Sequence, residues 1–419
     1  MKKLLLLLLI FMSLAFLLSF LGKKSKPNLI GSKENFWNFQ SIDTMKYSRD
    51  LARAKLNEPQ FDQTIDYQVS KIAETGASHV AIATPYDPEF LPFLKRWVAS
   101  ARKHNLKVWF RGNFSGWEGW FDYKTISRLD HEKLVEKFIL DNSDIFENGD
   151  YFSSCPECEN GGPGDPRENG DVDGHRQFLI EEYKIAKESF TKIGKSVFAN
   201  LNPMNGDVAR IIMDKETTQA LGGIVVIDHY VSTPKLLVSD IKDFIQRSGG
   251  KVILGEFGVP IPDVNGSLNE KDQADFIKEV LQNLIEIPEV VGINYWTSVG
   301  GSTQLWTEDG QPKPAVKIIR DFFRPSVLKG YVINEIGNPI ENATVSVGTN
   351  EVKTNINGQF SLVYVTDNVV AKITATGYVT KKVTNLPDNN ILDITLVKRD
   401  ESLLFKIRKF VYKFFSETI

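Results

Sequence analysis

Two glutamates stand where short apolar runs end. Tyr151-Phe152-Ser153-Ser154-Cys155 leads into Pro156-Glu157-Cys158-Glu159, and Val252-Ile253-Leu254-Gly255 leads into Glu256-Phe257-Gly258. Such a pair can divide the work, one carboxylate attacking an electrophile while the other, kept protonated by its surroundings, donates a proton. A single acid at a strand end is more often exposed or salt-bridged, so only the two together point to chemistry. Glu159 is the rival for the proton donor, because side chains of an extended chain repeat with period two and it would face the same way as Glu157. Glu157 is preferred for its place directly at the strand end, which leaves Glu159 to bind substrate or fix the loop.

Cys155 and Cys158 are the only cysteines. Their C-x-x-C spacing admits a redox dithiol or half of a zinc site, but no second Cys/His pair completes a zinc set. A local disulfide bracing the Glu157 loop, or two free thiols, fits better. His79, His104, His131 and His175 show no metal-ligand spacing and read as structural, as do Trp37, Trp97 and Trp109 inside predicted elements. The acidic loop carrying Asp165, Glu168, Asp171 and Asp173 lacks EF-hand spacing. No metal or cofactor is expected.

Eight strand candidates position these residues: Phe36–Phe39, His79–Ala83, Lys107–Gly112, Tyr151–Cys155, Ser196–Leu201, Gly223–Asp228, Val252–Gly255 and Val291–Tyr295. Amphipathic stretches fall between them, at Phe61–Glu74, Glu89–His104, His131–Phe146, His175–Ile193, Lys235–Arg247 and Lys271–Ile285. Eight alternations over residues 27–324 predict an α/β fold, a closed (β/α)8 TIM barrel, whose active site lies at the C-terminal ends of the strands.

The acids at the fourth and seventh strand ends, with Asp228-His229-Tyr230 after the sixth strand and Trp296 after the eighth, resemble glycoside hydrolase clan A, in particular family 5-like cellulase and mannanase barrels. The likeness is strongest at Gly255-Glu256-Phe257-Gly258. It implies Glu256 as nucleophile, Glu157 as acid/base, Tyr230 as hydrogen-bond partner of the nucleophile, His229 lining the site and Trp296 as the floor of a sugar subsite. Where the clan carries asparagine before the acid/base, this chain has Pro156, which offers no side-chain donor. Retaining cleavage of an O-glycoside needs its two carboxyl groups only ~5 to 5.5 Å apart, and an inverting pair stands farther apart to admit water.

Aromatics give a second indication, since sugar rings present apolar C–H faces that pack on flat rings. The loop Arg111-Gly112-Asn113-Phe114-Ser115-Gly116-Trp117-Glu118-Gly119-Trp120-Phe121 is too aromatic for a mere connection. It places Trp117 and Trp120 along a carbohydrate cleft with Arg111 and Asn113 nearer its floor; Asn200 and Asn202 are weaker candidates for hydroxyl contacts.

The 419 residues, 42% hydrophobic and 25% charged, are long enough for this barrel and a small second domain. A net charge of −3 without a basic block argues against nucleic acid. Residues 1–26 hold an uncharged apolar run from Leu4 to Leu21, 18 residues flanked by lysines, read as a transmembrane anchor in preference to a cleaved signal. The catalytic domain is then extracytoplasmic and membrane-tethered, or secreted if the leader is cut. Residues 325–398 alternate in short runs between Gly, Asn, Asp and Pro turns, an all-β sandwich. Gly330-Tyr331-Val332, Gly337-Asn338-Pro339 and Asn357-Gly358-Gln359-Phe360 resemble the carboxypeptidase regulatory-like family, which implies a spacer or weak adhesion module. Residues 399–419 form a basic amphipathic tail suited to a membrane surface, to the sandwich or to another chain. Besides the retaining glycosidase, two readings stay open: a glycan-binding or adhesion protein on a degenerate barrel, and a thiol or metal protein centred on Cys155 and Cys158.

Overall fold

The structure, a computed structural model, describes residues 35–366, 370–386 and 390–399. The expected anchor and nearly all of the expected tail lie outside them. No helix among the described residues is long and apolar enough to cross a membrane. The described chain divides into two compact units, the first ending at Pro325 and the second beginning at Ser326.

The first unit is built on eight parallel strands: β1 (Phe39–Asp43), β2 (His79–Ile82), β3 (Lys107–Phe110), β4 (Tyr151–Phe152), β5 (Met204–Asn205), β6 (Ile224–Asp228), β7 (Lys251–Phe257) and β8 (Val290–Tyr295). Their order is β4-β3-β2-β1-β8-β7-β6-β5. The ring closes at an irregular fifth station, where Phe198 bridges to Tyr151 of β4 before Met204 and Asn205 pair with β6. The expected fifth strand over Ser196–Leu201 is therefore mostly irregular, and β1 begins where Phe36–Phe39 was expected to end.

Helices cover the ring, and their local signals are plain. The helix Pro234–Ser248 starts with Thr233 capping the Leu236 amide and Pro234 at its first position. It buries Leu237, Val238, Ile241 and Phe244, spaced for one helical face, and stops at Gly249 in the left-handed conformation (φ 63°). Phe39, Ala81, Trp109, Leu201, Val226 and Ile253 fill the barrel interior. It is filled so closely that a Cβ on Gly292 would lie 2.8 Å from Cβ of Phe39.

One irregularity bears directly on the site. Opposite Ile227 and Asp228, β7 presents Leu254 and Glu256, so Gly255 is an extra residue in a β-bulge. Simple alternation from the inward Ile253 would turn Glu256 away from the axis; the bulge turns it inward beside Asp228. A side chain at Gly255 would meet Asp228 Oδ1 at 2.6 Å and Val226 Cγ1 at 2.9 Å.

The second unit is a small β-sandwich. One sheet has the order β11 (Asn350–Lys353), β10 (Thr344–Val347), β13 (Ala371–Thr374), β14 (Lys381–Val383), and the other β12 (Gln359–Tyr364), β9 (Ser326–Asn334), β15 (Ile391–Leu396). Alternating residues from both sheets, among them Leu328, Val332, Val345, Phe360, Leu362, Ile373 and Ile394, form one apolar core. β11 and β14, short and largely polar, escape the sequence reading.

Candidate active site

The polar residues begin where the strands end. Arg111, the residue after β3, is buried, and its guanidinium holds three carboxylates from different strands. Nη1 donates to Asp43 Oδ2 at 2.9 Å and to Glu256 Oε1 at 2.6 Å, and Nη2 donates to Asp228 Oδ2 at 2.8 Å. The planar fork suits several carboxylates at once. Three acids around one cation leave excess negative charge, and burial raises both aspartates, Asp43 to about 7 and Asp228 well above its usual range, with the Glu256 charge adding to each. The second oxygen of the Glu256 carboxylate accepts from the Tyr230 hydroxyl at 2.5 Å.

Glu157 follows β4 on a different kind of support. Its backbone is left-handed (φ 45°, ψ 50°), a region a non-glycine residue rarely occupies. Its amide donates to Pro203 O at 2.7 Å, and a disulfide joins Cys155 to Cys158 around it. Asn202 Oδ1 accepts from the amides of Ser154 and Cys155. The Glu157 carboxyl is pushed up to about 8, first by burial and then by the Glu256 charge, with Arg111 opposing.

Both glutamates line one cleft of about 400 Å³, together with Asp43, Lys46, Arg49, Arg111, Asn113, Glu118, Trp120, Pro156, Asn160 and Trp296. A larger groove, about 630 Å³, runs along Ile180, Tyr183 and Lys187 and has Glu188 as its one acid; a single carboxylate there offers no acid–nucleophile pair. At the cleft wall Trp120 lies under the Arg49 guanidinium and Trp296 under the Lys46 ammonium. Asn113 bridges inward and outward, donating to Glu118 Oε1 at 2.5 Å while its carbonyl oxygen lies 2.9 Å from His131 Nε2, whose other ring nitrogen meets Glu182. Burial raises Glu118 to about 7.

Of the expected site residues, the cleft brings together Glu157, Glu256, Arg111, Asn113, Trp120 and Trp296, with Tyr230 on the Glu256 carboxylate. Four expectations are corrected. Trp117 is buried: the helical turn Ser115–Glu118 carries it inward onto Phe178 and His131, and its indole N–H donates to Cys158 O. Glu159 does not share a face with Glu157, because a 3-10 turn over Cys158–Asn160 replaces extended chain; it is buried and accepts from the amide and side chain of Asn205. His229 turns its ring to Asp240 and Phe244, and only its backbone amide serves the site, donating to Glu256 O. Asn200 lies against Gly222, before β6 and so away from the strand ends that carry the acids; Asn202 is the asparagine that reaches the acid loop. Sequence reasoning missed Asp43, Asp228, Lys46 and Glu118 as site residues. Asp228 and Glu118 sat inside motifs read for their neighbours.

No protein-family model matches the sequence, and a search of curated proteins finds none similar to it. Among solved structures, a GH5_18 protein from Streptomyces cattleya in complex with Manβ1-4GlcNAc is similar over 71% of this chain and 85% of its own, at 13% identity and a TM-score of 0.50. Native xylanase 10B from Thermotoga maritima is similar over 68% and 94%, at 12% identity and 0.46. An FMN-binding β-glucuronidase from Facaelibacterium prausnitzii L2-6 is similar over 86% of this chain and 58% of its own, at 11% identity and 0.49. The chain thus spans little more than half of that glucuronidase. At 13% identity the likeness to the GH5_18 protein is one of fold, the (β/α)8 barrel.

Proposed function

We propose that this protein is a retaining O-glycoside hydrolase acting on a β-linked poly- or oligosaccharide, with Glu256 as nucleophile and Glu157 as acid/base. The observation that carries the reading is the shared cleft, in which one carboxylate is met on both oxygens by Arg111 and Tyr230 while the other is desolvated and raised to about 8. In the first step a Glu256 oxygen attacks the anomeric carbon and Glu157 passes its proton to the departing glycosidic oxygen. Glu157, now a carboxylate, then takes a proton from water as the water displaces Glu256 from that carbon. Trp120 and Trp296 offer flat faces for sugar rings. The lysine-flanked apolar leader supports an extracytoplasmic, tethered or secreted enzyme, and the turn motifs of the sandwich support a carboxypeptidase regulatory-like accessory domain.

Glu256→Gln should abolish turnover of an activated aryl β-glycoside while circular dichroism stays unchanged. Glu157→Ala should regain rate with azide on a substrate with a good leaving group. Undiminished turnover in Glu256→Gln removes the assignment. Pro156, beside Glu157 where a hydroxyl-binding asparagine was expected, favours a second reading, a glycan-binding protein on this barrel; binding across a glycan panel without hydrolysis would select it.

A further inference from the structure

Pro156 and Glu157 are the two residues enclosed by the Cys155–Cys158 bond, so the proposed acid sits inside a four-residue covalent ring. Both cysteines are buried. Hydrogen bonds hold the ring from outside: Asn202 Oδ1 takes the amides of Ser154 and Cys155, Trp117 Nε1 gives to Cys158 O at 3.2 Å, and the Glu157 amide gives to Pro203 O. They grip the backbone. Among the described residues the Glu157 carboxyl itself has one side-chain hydrogen bond, from the exposed amide of Asn160 at 3.2 Å. Its direction therefore follows from the backbone at Glu157, which lies in the left-handed region that glycine alone occupies freely.

We propose that the Cys155–Cys158 disulfide is the positioning element of the acid Glu157, so that opening it switches the glycosidase down by misplacing the proton donor. This rests on the glycosidase reading above. The opening is exchange with an external dithiol, which reaches the buried sulfurs when the loop opens locally. One thiolate of the reagent attacks a cysteine sulfur, the S–S bond breaks, and the departing thiolate takes a proton. The reagent's second thiol then displaces its first from the mixed disulfide. Two electrons pass to the protein, leaving two cysteine thiols and the reagent's own disulfide.

The titratable and charged groups around Glu157 are Glu256 from β7, Arg111 after β3, Glu118 from the following turn, Asp228 and Tyr230 at the end of β6 and, on its own loop but turned to Asn205, Glu159. Most of them are acids, and with burial they keep its proton on. Loosening the loop lets water reach the carboxyl and lowers its affinity for the proton.

The test uses the full chain, oxidised, reduced with dithiothreitol and reoxidised, with a thiol count that reads this bond alone because the chain has no other cysteine. Cys155→Ser/Cys158→Ser serves as the second variant. Reduction should lower kcat on an alkyl β-glycoside, whose poor leaving group needs the proton, by about 10²-fold, the scale of an ångström-level misplacement, and should slow departure of an activated aryl leaving group far less. Reoxidation should restore it, and the alkaline limb of the pH profile should move to lower pH. A ¹³C-carboxyl titration, with the Glu157 signal identified by its loss in Glu157→Gln, reads the same shift without turnover. Equal kcat, equal pH limb and equal Glu157 titration in the two redox states would overturn the proposal. An oxidised protein with no turnover on any glycoside would sink the glycosidase reading, and the titration would still decide the role of the disulfide.

Discussion

Glu256 lies within a strand, with its carboxylate oxygens met by the buried Arg111 guanidinium and the Tyr230 hydroxyl, whereas Glu157 lies on a loop with an exposed amide as its one side-chain hydrogen-bond partner among the described residues. The strand position is fixed by the sheet and tuned by a bulge; the loop position is fixed by a disulfide and by backbone hydrogen bonds. These supports suit the different chemistry proposed for the two residues. A nucleophile must present a defined oxygen along one line, and the Arg111 and Tyr230 contacts constrain both oxygens. A proton donor must keep its proton near neutral pH, and desolvation achieves that where tight charge pairing would strip the proton away.

The largest way to break the contrast is to remove the cation that serves the strand side. Arg111→Met should lower kcat/KM by about 10³-fold, the scale of losing a charge-stabilising donor. It should also destabilise the fold by about 3 to 5 kcal/mol, because Asp43, Asp228 and Glu256 would face one another in a buried site without their cation. Steady-state kinetics and urea unfolding check both. A variant with wild-type kinetics would show that the strand-side carboxylate needs no such partner.

Gly255→Ala comes next and tests the bulge alone. A Cβ 2.6 Å from Asp228 Oδ1 must push either β6 or Glu256, at about 1 to 3 kcal/mol in stability. The loss in kcat should exceed the loss in folded fraction, since the displaced atom neighbours the carboxylate proposed as nucleophile. Proportional losses would mean that the bulge serves packing only.

These two residues also mark how far the sequence could be read. Glu256 was legible because an apolar run, a glycine and an acid follow one another; its inward direction was not, because period-two alternation points it outward and a bulge leaves no signature beyond one glycine. Asp43 was missed through a boundary. Placing the first strand at Phe36–Phe39, a run of aromatics, hid the fact that β1 continues through Gln40, Ser41 and Ile42 to Asp43 at its end. Six helices were legible from their amphipathic spacing, while the fifth strand was not, since its pairing is split between Phe198 and Met204–Asn205. In the aromatic loop the two tryptophans part company. A single helical turn after Phe114 buries Trp117 and leaves Trp120 on the cleft, and nothing in a run of glycines and aromatics announces a four-residue helix.

The loop side of the comparison is sharpened by pH. In its proposed role as acid, Glu157, raised to about 8, acts in its protonated form, so kcat/KM should fall as pH rises, with a midpoint near 8. Stability should move in the same direction. Asp43 and Glu118, raised to about 7, and Glu157 hold protons in the folded state that an unfolded chain would release near 4. Their contribution is therefore complete below about 4 and is lost as pH rises through 7 to 8. An activity limb at 8 without any decline in melting temperature over that interval would separate the acid of the cleft from the burial inferred for it.

The smallest expected effect separates the two tryptophans of the loop after β3. Trp120 lines the cleft under Arg49, so Trp120→Ala should raise KM by about 5-fold, equivalent to about 1 kcal/mol of ring packing, and leave kcat and melting temperature nearly unchanged. Trp117 is buried against Phe178 and the Gly161–Gly162 backbone, and its indole supports Cys158. Trp117→Phe keeps a ring but drops that N–H, so it should leave KM alone and lower kcat a few-fold through the Glu157 loop. If instead Trp117→Phe raised KM and Trp120→Ala lowered kcat, the aromatic wall and the acid loop would have exchanged roles, and the division between a rigid strand carboxylate and a braced loop carboxylate would no longer describe the cleft.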